Sequence, residues 1–360
     1  MSWPRAGRWR RYCGADSNPD AIKKNDIDNP ERRRTGWRQA INISHNFMTR
    51  SRLIVTLSVL LLTVNTQAQT SLKSVDSFAI SIGFPDSITI AQITYCLTNK
   101  FNDPILKTRA IFAWVANNIA YDCPAYHAES KRKGKPEDVF RLKKAVCEGY
   151  ANLFMEMCSY AKIQCLVVDG FARTTNIDIG ETLNEPNHSW NAVRLNNEWR
   201  LIDVTWASGF TDKKVKIFTP SYSDIFFFPD PDYFILSHYP KLSAWKLSRS
   251  NLSLKEFFDS PVVLPEYLLF DIKLVSPEKG LIKIKYNQPF TLSFVAKNIE
   301  NIRSVTVIIG EGKRETIIKP AIDVSGNTIS AQLKGDKPGK QPLIVYINQH
   351  AVLEYDIEVL

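Results

Sequence analysis

The chain has 360 residues, 44% apolar and 23% charged, which is enough to bury a sizeable core and too apolar for wholesale disorder. Its net charge is +9, but residues 1–52 hold twelve Lys/Arg against five Asp/Glu, a net of +7, so the remainder is close to neutral. A nucleic-acid role inferred from total charge would rest on that first segment alone and is rejected.

Residues 1–47 are polar and Arg-rich, without a sustained apolar period, and read as a non-native or disordered leader ahead of an initiator at Met48. Arg50 and Arg52 then precede a dozen mostly apolar residues from Leu53 to Val64, followed by Asn65-Thr66-Gln67-Ala68. This pattern predicts a signal peptide over 48–68, cleaved after Ala68, and a secreted or periplasmic product. The apolar run is shorter than the ~20 residues of an ordinary span, so no stable membrane span is expected. A poorly anchored single-pass protein is the alternative.

Residues 69–97 form a mixed lead-in, where the alternation Phe78-Ala79-Ile80-Ser81-Ile82 predicts a short strand. Asp103 as N-cap and Pro104 in the first turn open a helix that runs to about Ile119, with Trp114 in the core. Between Ala128 and Lys144 the strongly basic stretch around Lys131-Arg132-Lys133-Gly134-Lys135 reads as a solvated loop, with a substrate rim as the alternative.

From Tyr150 the apolar residues fall at Leu153, Phe154, Met157, Cys158 and Ala161, one face of a helix. Cys147 stands at the front of that helix rather than on its buried stripe. Free N–H groups and the positive dipole end bias a thiol there toward thiolate and can hold an oxyanion. A buried, inert cysteine is the competing reading, and it loses ground only if a base and an orienting acid lie downstream.

Residues 164–173 read as a buried strand, and the polar link 174–186 then leads into His188. The segment 187–195 alternates, Asn196-Asn197 supplies a two-residue turn, and 198–206 is extended again, which predicts a hairpin. With Leu195 opposite Glu198, His188 faces Thr205 and Trp190 faces Asp203. His188 and Asp203 then share a sheet face as diagonal neighbours, about 7–8 Å apart at the backbone. A one-residue slip would separate them. Thiol, imidazole and carboxylate in this order are the parts of an activated-thiol triad.

Val146-Cys147-Glu148-Gly149-Tyr150-Ala151, Asn187-His188-Ser189-Trp190-Asn191 and Leu201-Ile202-Asp203-Val204-Thr205-Trp206 resemble the three signature blocks of the transglutaminase-like superfamily. The stretch 107–122 resembles its first core helix. Asp232-Tyr233-Phe234-Ile235-Leu236-Ser237-His238-Tyr239-Pro240 and Trp245-Lys246-Leu247 look like the kyphoscoliosis-peptidase branch. The likeness covers roughly 101–263. It implies a papain-like α+β core with an antiparallel sheet, Cys147 as nucleophile, His188 as base and Asp203 as orienter.

Past Pro265 eight short alternating runs, at 270–275, 281–286, 290–296, 304–309, 316–318, 328–333, 343–347 and 352–359, alternate with Gly, Pro and Asn. They predict a small immunoglobulin-like β-sandwich over 267–360 after a transglutaminase-like domain over 69–266. The exported chain would keep Cys96, Cys123, Cys147, Cys158 and Cys165, an odd number that leaves at least one free thiol, with Cys147 the natural candidate. No CxxC and no EF-hand spacing occurs, so no metal and no cofactor is expected, and Asp230 and Asp232 around Pro231 read as a turn. The expected activity is acyl transfer through a thioester, as a peptidase on protein or peptide substrates such as cell-envelope proteins. Protein-glutamine transfer and a non-catalytic envelope-binding scaffold are the alternatives.

Overall fold

The computed structural model describes residues 72–360 apart from 86, 133, 176–178, 313–314, 320–321 and 324–325. The leader over 1–47 and the signal peptide over 48–68 lie outside the described residues. Residues 72–81 form helix α1, not the strand that 78–82 predicts. Leu72, Val75, Asp76 and Ala79 are the side chains turned inward, while Ile80 stays exposed. That spacing is helical, and the five-residue alternation was too short a window to reveal it.

Helix α2 (Ile90–Thr98) starts at a capping box between Thr89 and Gln92. Helix α3 (Pro104–Asn118) starts as expected, with Asp103 accepting the Ile105 N–H at 2.8 Å. Every residue from 108 to 116 is buried, Trp114 among them, so α3 is a central helix rather than an amphipathic one. It even buries Arg109. That guanidinium donates through Nε and Nη2 to the two oxygens of Asp76, both at 2.6 Å, and to Asp224 at 3.2 Å. A buried charge needs such a partner, and here it fastens α1 to α3.

Strand β1 (Ala120–Tyr121) leads into helix α4 (Cys123–Tyr126). The region expected as a basic loop holds helix α5 (Pro136–Leu142) before strand β2 (Lys144–Ala145). Parallel pairing of β1 with β2 sets Tyr121 beside Ala145, two residues before Cys147. Helix α6 (Cys147–Tyr160) buries Tyr150, Leu153, Phe154, Met157 and Cys158, as its periodicity predicts. The Tyr150 hydroxyl donates to the Ile119 carbonyl, which joins α6 to the end of α3.

Against α6 lies an antiparallel sheet. Its strands are β3 (Gln164–Ala172), β4 (His188–Leu195), β5 (Glu198–Ile202) and a later strand at His238–Pro240, in the order β5, β4, β3, His238–Pro240. The hairpin forms in the predicted register, Leu195 opposite Glu198, and both turn asparagines take positive φ, 50° and 64°. The second arm is shorter than predicted. Pairing ends at Asn191 opposite Ile202, so His188 never faces Thr205 nor Trp190 Asp203. Asp203 instead caps helix α7 (Val204–Ser208), accepting the Trp206 N–H at 2.9 Å. The capping bond overrides the strand preference of Val204-Thr205-Trp206.

Strands β6 (Gly209–Thr211) and β7 (Phe218–Pro220) pair beside the sheet, and helix α8 (Pro231–Phe234) follows. Asp230 caps α8, and Asp232 accepts from Ser248 and Arg249, so both work in local turns. Strand β8 (His238–Pro240) returns to β3, before helix α9 (Leu254–Asp259) and strand β9 (Val262–Val263). Among the described residues no helix is long and apolar enough to cross a membrane.

All eight runs expected past Pro265 are strands: β10 (Ile272–Ser276), β11 (Leu281–Ile284), β12 (Pro289–Ala296), β13 (Val305–Ile309), β14 (Thr316–Ile318), β16 (Thr328–Lys334), β17 (Gly339–Ile347) and β18 (His350–Val359), with β15 (Ile322–Asp323) added. They form one sheet ordered β10-β12-β16-β15 and another ordered β11-β18-β17-β13-β14. Leu292, Phe294 and Ile329 of the first share an apolar core with Val307, Val345 and Tyr355 of the second. Several links cross residue 266, the Gly280 N–H to the Asp259 carbonyl at 2.7 Å among them. Strand β9 pairs with β18, and the Tyr233 hydroxyl donates to Asp271 at 2.6 Å.

Candidate active site

Cys147 is the first residue of α6 and is half-buried. It is not the sole free thiol: Cys123, Cys158 and Cys165 are also free. What sets it apart is its partners. The His188 ring and the backbone N–H of Ser189 both act on its thiol and favour the thiolate.

His188 opens β4 opposite Gly170, and the chain entering it is clamped by its neighbour. The Asn187 side chain accepts the Ala172 N–H at 2.8 Å and donates to the Ala172 carbonyl at 2.9 Å. Gly170 is required by close approach. A Cβ there would sit 2.4 Å from Trp190 Cη2 and 2.4 Å from the Tyr239 carbonyl oxygen. Asp203, fully buried, reaches His188 from the start of α7 rather than from a strand, with Oδ2 2.6 Å from His188 Nε2. That leaves His188 Nδ1 for the sulfur. The three residues expected from the sequence are therefore in one crevice, although the predicted diagonal pairing is not how Asp203 arrives.

His238 was missed. It opens β8, is fully buried, and places Nε2 3.0 Å from the same Asp203 Oδ2. Its Nδ1 is 2.8 Å from the Ser237 hydroxyl, and its ring stacks on Phe234 at 4.0 Å. A three-residue strand carries no periodic signal, so only the Ser237-His238-Tyr239-Pro240 block itself could have pointed to it. The donor atoms of His188, Asp203 and His238 lie within 4.8 Å of one another, so these are the described residues that could hold a metal. Both imidazoles are already hydrogen-bonded to the carboxylate, which accounts for the cluster without an ion.

The sequence matches a family model described as the transglutaminase-like superfamily over residues 91–204, a stretch containing Cys147, His188 and Asp203. Residues 91–204 carry a transglutaminase-like domain. Across 188 residues the chain is 33% identical to the kyphoscoliosis peptidase of Mus musculus and 34% identical to that of Homo sapiens, covering 52% of this chain and 28% of each relative. Hillarin of Drosophila melanogaster is 26% identical over 223 residues, 58% of this chain and 27% of its own length. The chain thus spans little more than a quarter of these relatives.

In the transglutaminase-like domain the three side chains set one another's charge. Burial pushes the Cys147 thiol up, but the His188 hydrogen bond and charge and the Ser189 N–H outweigh it, and the thiol lies below its ordinary value. Burial pushes His188 down, yet the Asp203 charge and the bonds to Asp203 and Cys147 raise it to about 10. Burial pushes the Asp203 carboxyl up, and the charge and bonds of His188, with the bond from His238, hold it well below the carboxylate range. His238 goes the other way. Burial drives it down to about 4, beyond what its bond to Asp203 restores. These shifts favour the thiolate–imidazolium pair beside the Asp203 carboxylate, with His238 uncharged near neutrality. A thiolate beside a proton donor can attack a carbonyl and protonate the group that leaves.

A cleft of about 380 Å³ opens at His188. Tyr121, Tyr126, Trp206 and Phe210 line it from the transglutaminase-like domain, and Pro265 and Glu354 from beyond it. Arg132, Gly134 and Lys135 of the basic segment face a different depression, shared with Glu148 and Asn152.

Proposed function

We propose that this protein is an exported cysteine-dependent acyl-transfer enzyme, a peptidase in which Cys147 is the nucleophile, His188 the acid–base and Asp203 its orienter. One observation carries the reading: the His188 imidazole that acts on the Cys147 thiol has its Nε2 2.6 Å from the buried Asp203 carboxylate. The thiolate adds to a peptide carbonyl, forming the C–S bond and an oxyanion that the Cys147 backbone N–H can hold. His188 gives its proton to the amine as the C–N bond breaks, leaving a thioester. His188 then takes a proton from water, whose oxygen attacks the thioester. The C–S bond breaks, the acid departs and the thiolate–imidazolium pair returns.

Hydrolysis is preferred to amine transfer because the similar proteins of Mus musculus and Homo sapiens are described as peptidases. Protein-glutamine transfer uses the same thioester with an amine in place of water. Export rests on the apolar run from Leu53 to Val64 and its flanks. For the strands past residue 267 an immunoglobulin-like sandwich is supported by two facing sheets with a shared core. Its role is to bind, or to position the enzyme on a polymer or surface, with structural support the alternative.

The test is to trap the acyl-enzyme with a peptide library and weigh the Cys147 peptide. An acyl adduct with new amino termini, and no incorporation of a labelled primary amine, supports the peptidase. Amine incorporation would move the assignment to transfer. Equal, slow iodoacetamide labelling of Cys147, Cys158 and Cys165 would leave a binding scaffold.

A further inference from the structure

We infer that His238 is a positioning residue for the reactive pair: its Nε2–H, 3.0 Å from Asp203 Oδ2, fixes the carboxylate that in turn orients His188. The inference rests on the proposed roles of Cys147, His188 and Asp203 and adds a fourth side chain, from the edge strand β8 of the same sheet.

The hydrogen-bond inventory requires it. An ionised carboxylate only accepts, so both rings facing Oδ2 must donate through Nε2. With Nε2 protonated and the ring neutral, Nδ1 of His238 is an acceptor, and the Ser237 hydroxyl, 2.8 Å from it and 3.3 Å from the competing Phe234 carbonyl, donates to the nearer of the two. Ser237 thereby selects the tautomer that His238 shows to Asp203. Asp203 Oδ1 takes the Trp206 N–H at 2.9 Å, so three donors from three elements hold the carboxylate in the plane in which Oδ2 meets His188. Among the described residues, Asp203 and His188 are the titratable groups that act on His238. Its other neighbours are the rings of Phe234, Trp206, Trp190 and Phe226. In so dry a setting, removal of the donor leaves a carboxylate lone pair unmatched, and the anion weakens as a partner for the imidazolium.

A ring that merely fills the core would also stack on Phe234, so the test separates shape from donor. His238→Phe keeps an aromatic ring and removes the donor; His238→Gln restores an N–H near the Nε2 position. Iodoacetamide labelling of Cys147 is followed by peptide mass across pH in the full chain, with thermal melts in parallel. For His238→Phe the acid limb moves up by roughly one pH unit, so labelling below its midpoint falls about tenfold. His238→Gln recovers most of that shift. A wild-type limb in His238→Phe, or an equal shift in both variants at equal stability, would overturn the inference. His188→Ala is the control for the underlying reading: if it labels as fast as wild type, the base assignment fails and not merely the role of His238. Should His238→Phe not fold, histidine-ring ¹⁵N NMR of the unaltered protein decides. A neutral ring protonated at Nε2 supports the inference, and one protonated at Nδ1 refutes it.

Discussion

Replacing Asp203 with asparagine tests the electrostatics of the crevice with almost no change in shape. His188 is raised from 6.5 to about 10, with the Asp203 charge and hydrogen bond the largest upward causes, while burial alone would press it down. That displacement corresponds to roughly 5 kcal/mol at about 1.4 kcal/mol per pH unit. An opposite charge at this range accounts for ~1–3 units. Asparagine removes the charge and can also donate its amide to Nε2, which would turn the ring to the wrong tautomer. The direct repulsion between Asp203 and the thiolate is relieved too, but it is the smallest cause acting on Cys147. The indirect loss wins. In Asp203→Asn the basic limb of Cys147 alkylation drops from near pH 10 by about 1–3 units and the acid limb rises. Iodoacetamide rates from pH 4 to 11, read on the Cys147 peptide with half-buried Cys165 as reference, measure both limbs. Profiles that superpose on wild type, in a variant with an unchanged melt, would refute this account of the site.

Asp76→Ala strands the Arg109 guanidinium in the core and is expected to cost ~3–5 kcal/mol in urea denaturation, against under ~1 kcal/mol for Asp224→Ala, whose carboxylate is largely exposed. Gly170→Ala drives a methyl into Trp190 and the Tyr239 carbonyl, costs about 1–3 kcal/mol or more, and slows Cys147 labelling because it displaces the strand opposite His188. Acid melts check His238. It is neutral when folded down to about pH 4 but takes a proton near 6.5 when unfolded, so stability falls as pH drops through that window, by roughly 3 kcal/mol in all. His238→Phe flattens that slope. Asp203 contributes the opposite case of a depressed acid, whose stabilisation is full above its ordinary 3.8 and is lost as pH falls toward its folded value.

The parts of the molecule legible in the sequence are those whose signal is local. The stripe from Tyr150 to Cys158, the Asp103-Pro104 start, the Asn196-Asn197 turn and the eight alternating runs each needed only a short window. The errors came where a tertiary partner outweighed local preference. Residues 78–82 alternate, yet α1 turns Asp76 inward because Arg109 waits there. Val204-Thr205-Trp206 reads as strand, yet the Asp203 side chain captures a backbone N–H and starts a helix. Asp203 met His188 despite the wrong route, since the chain leaves β5 at the site. The position of His238 depends on β8 finding β3 across more than sixty intervening residues, and no pattern within nine residues encodes that.

The pairing of β9 with β18 has a consequence for biosynthesis. Cys147, His188 and Asp203 leave the ribosome well before Glu354, which supplies part of the cleft wall. Cys147 can therefore meet His188 in a nascent chain whose cleft still lacks one side. Whatever the cleft selects, its wall is then completed only when β18 docks, a built-in delay between assembly of the three side chains and closure of the cleft around them.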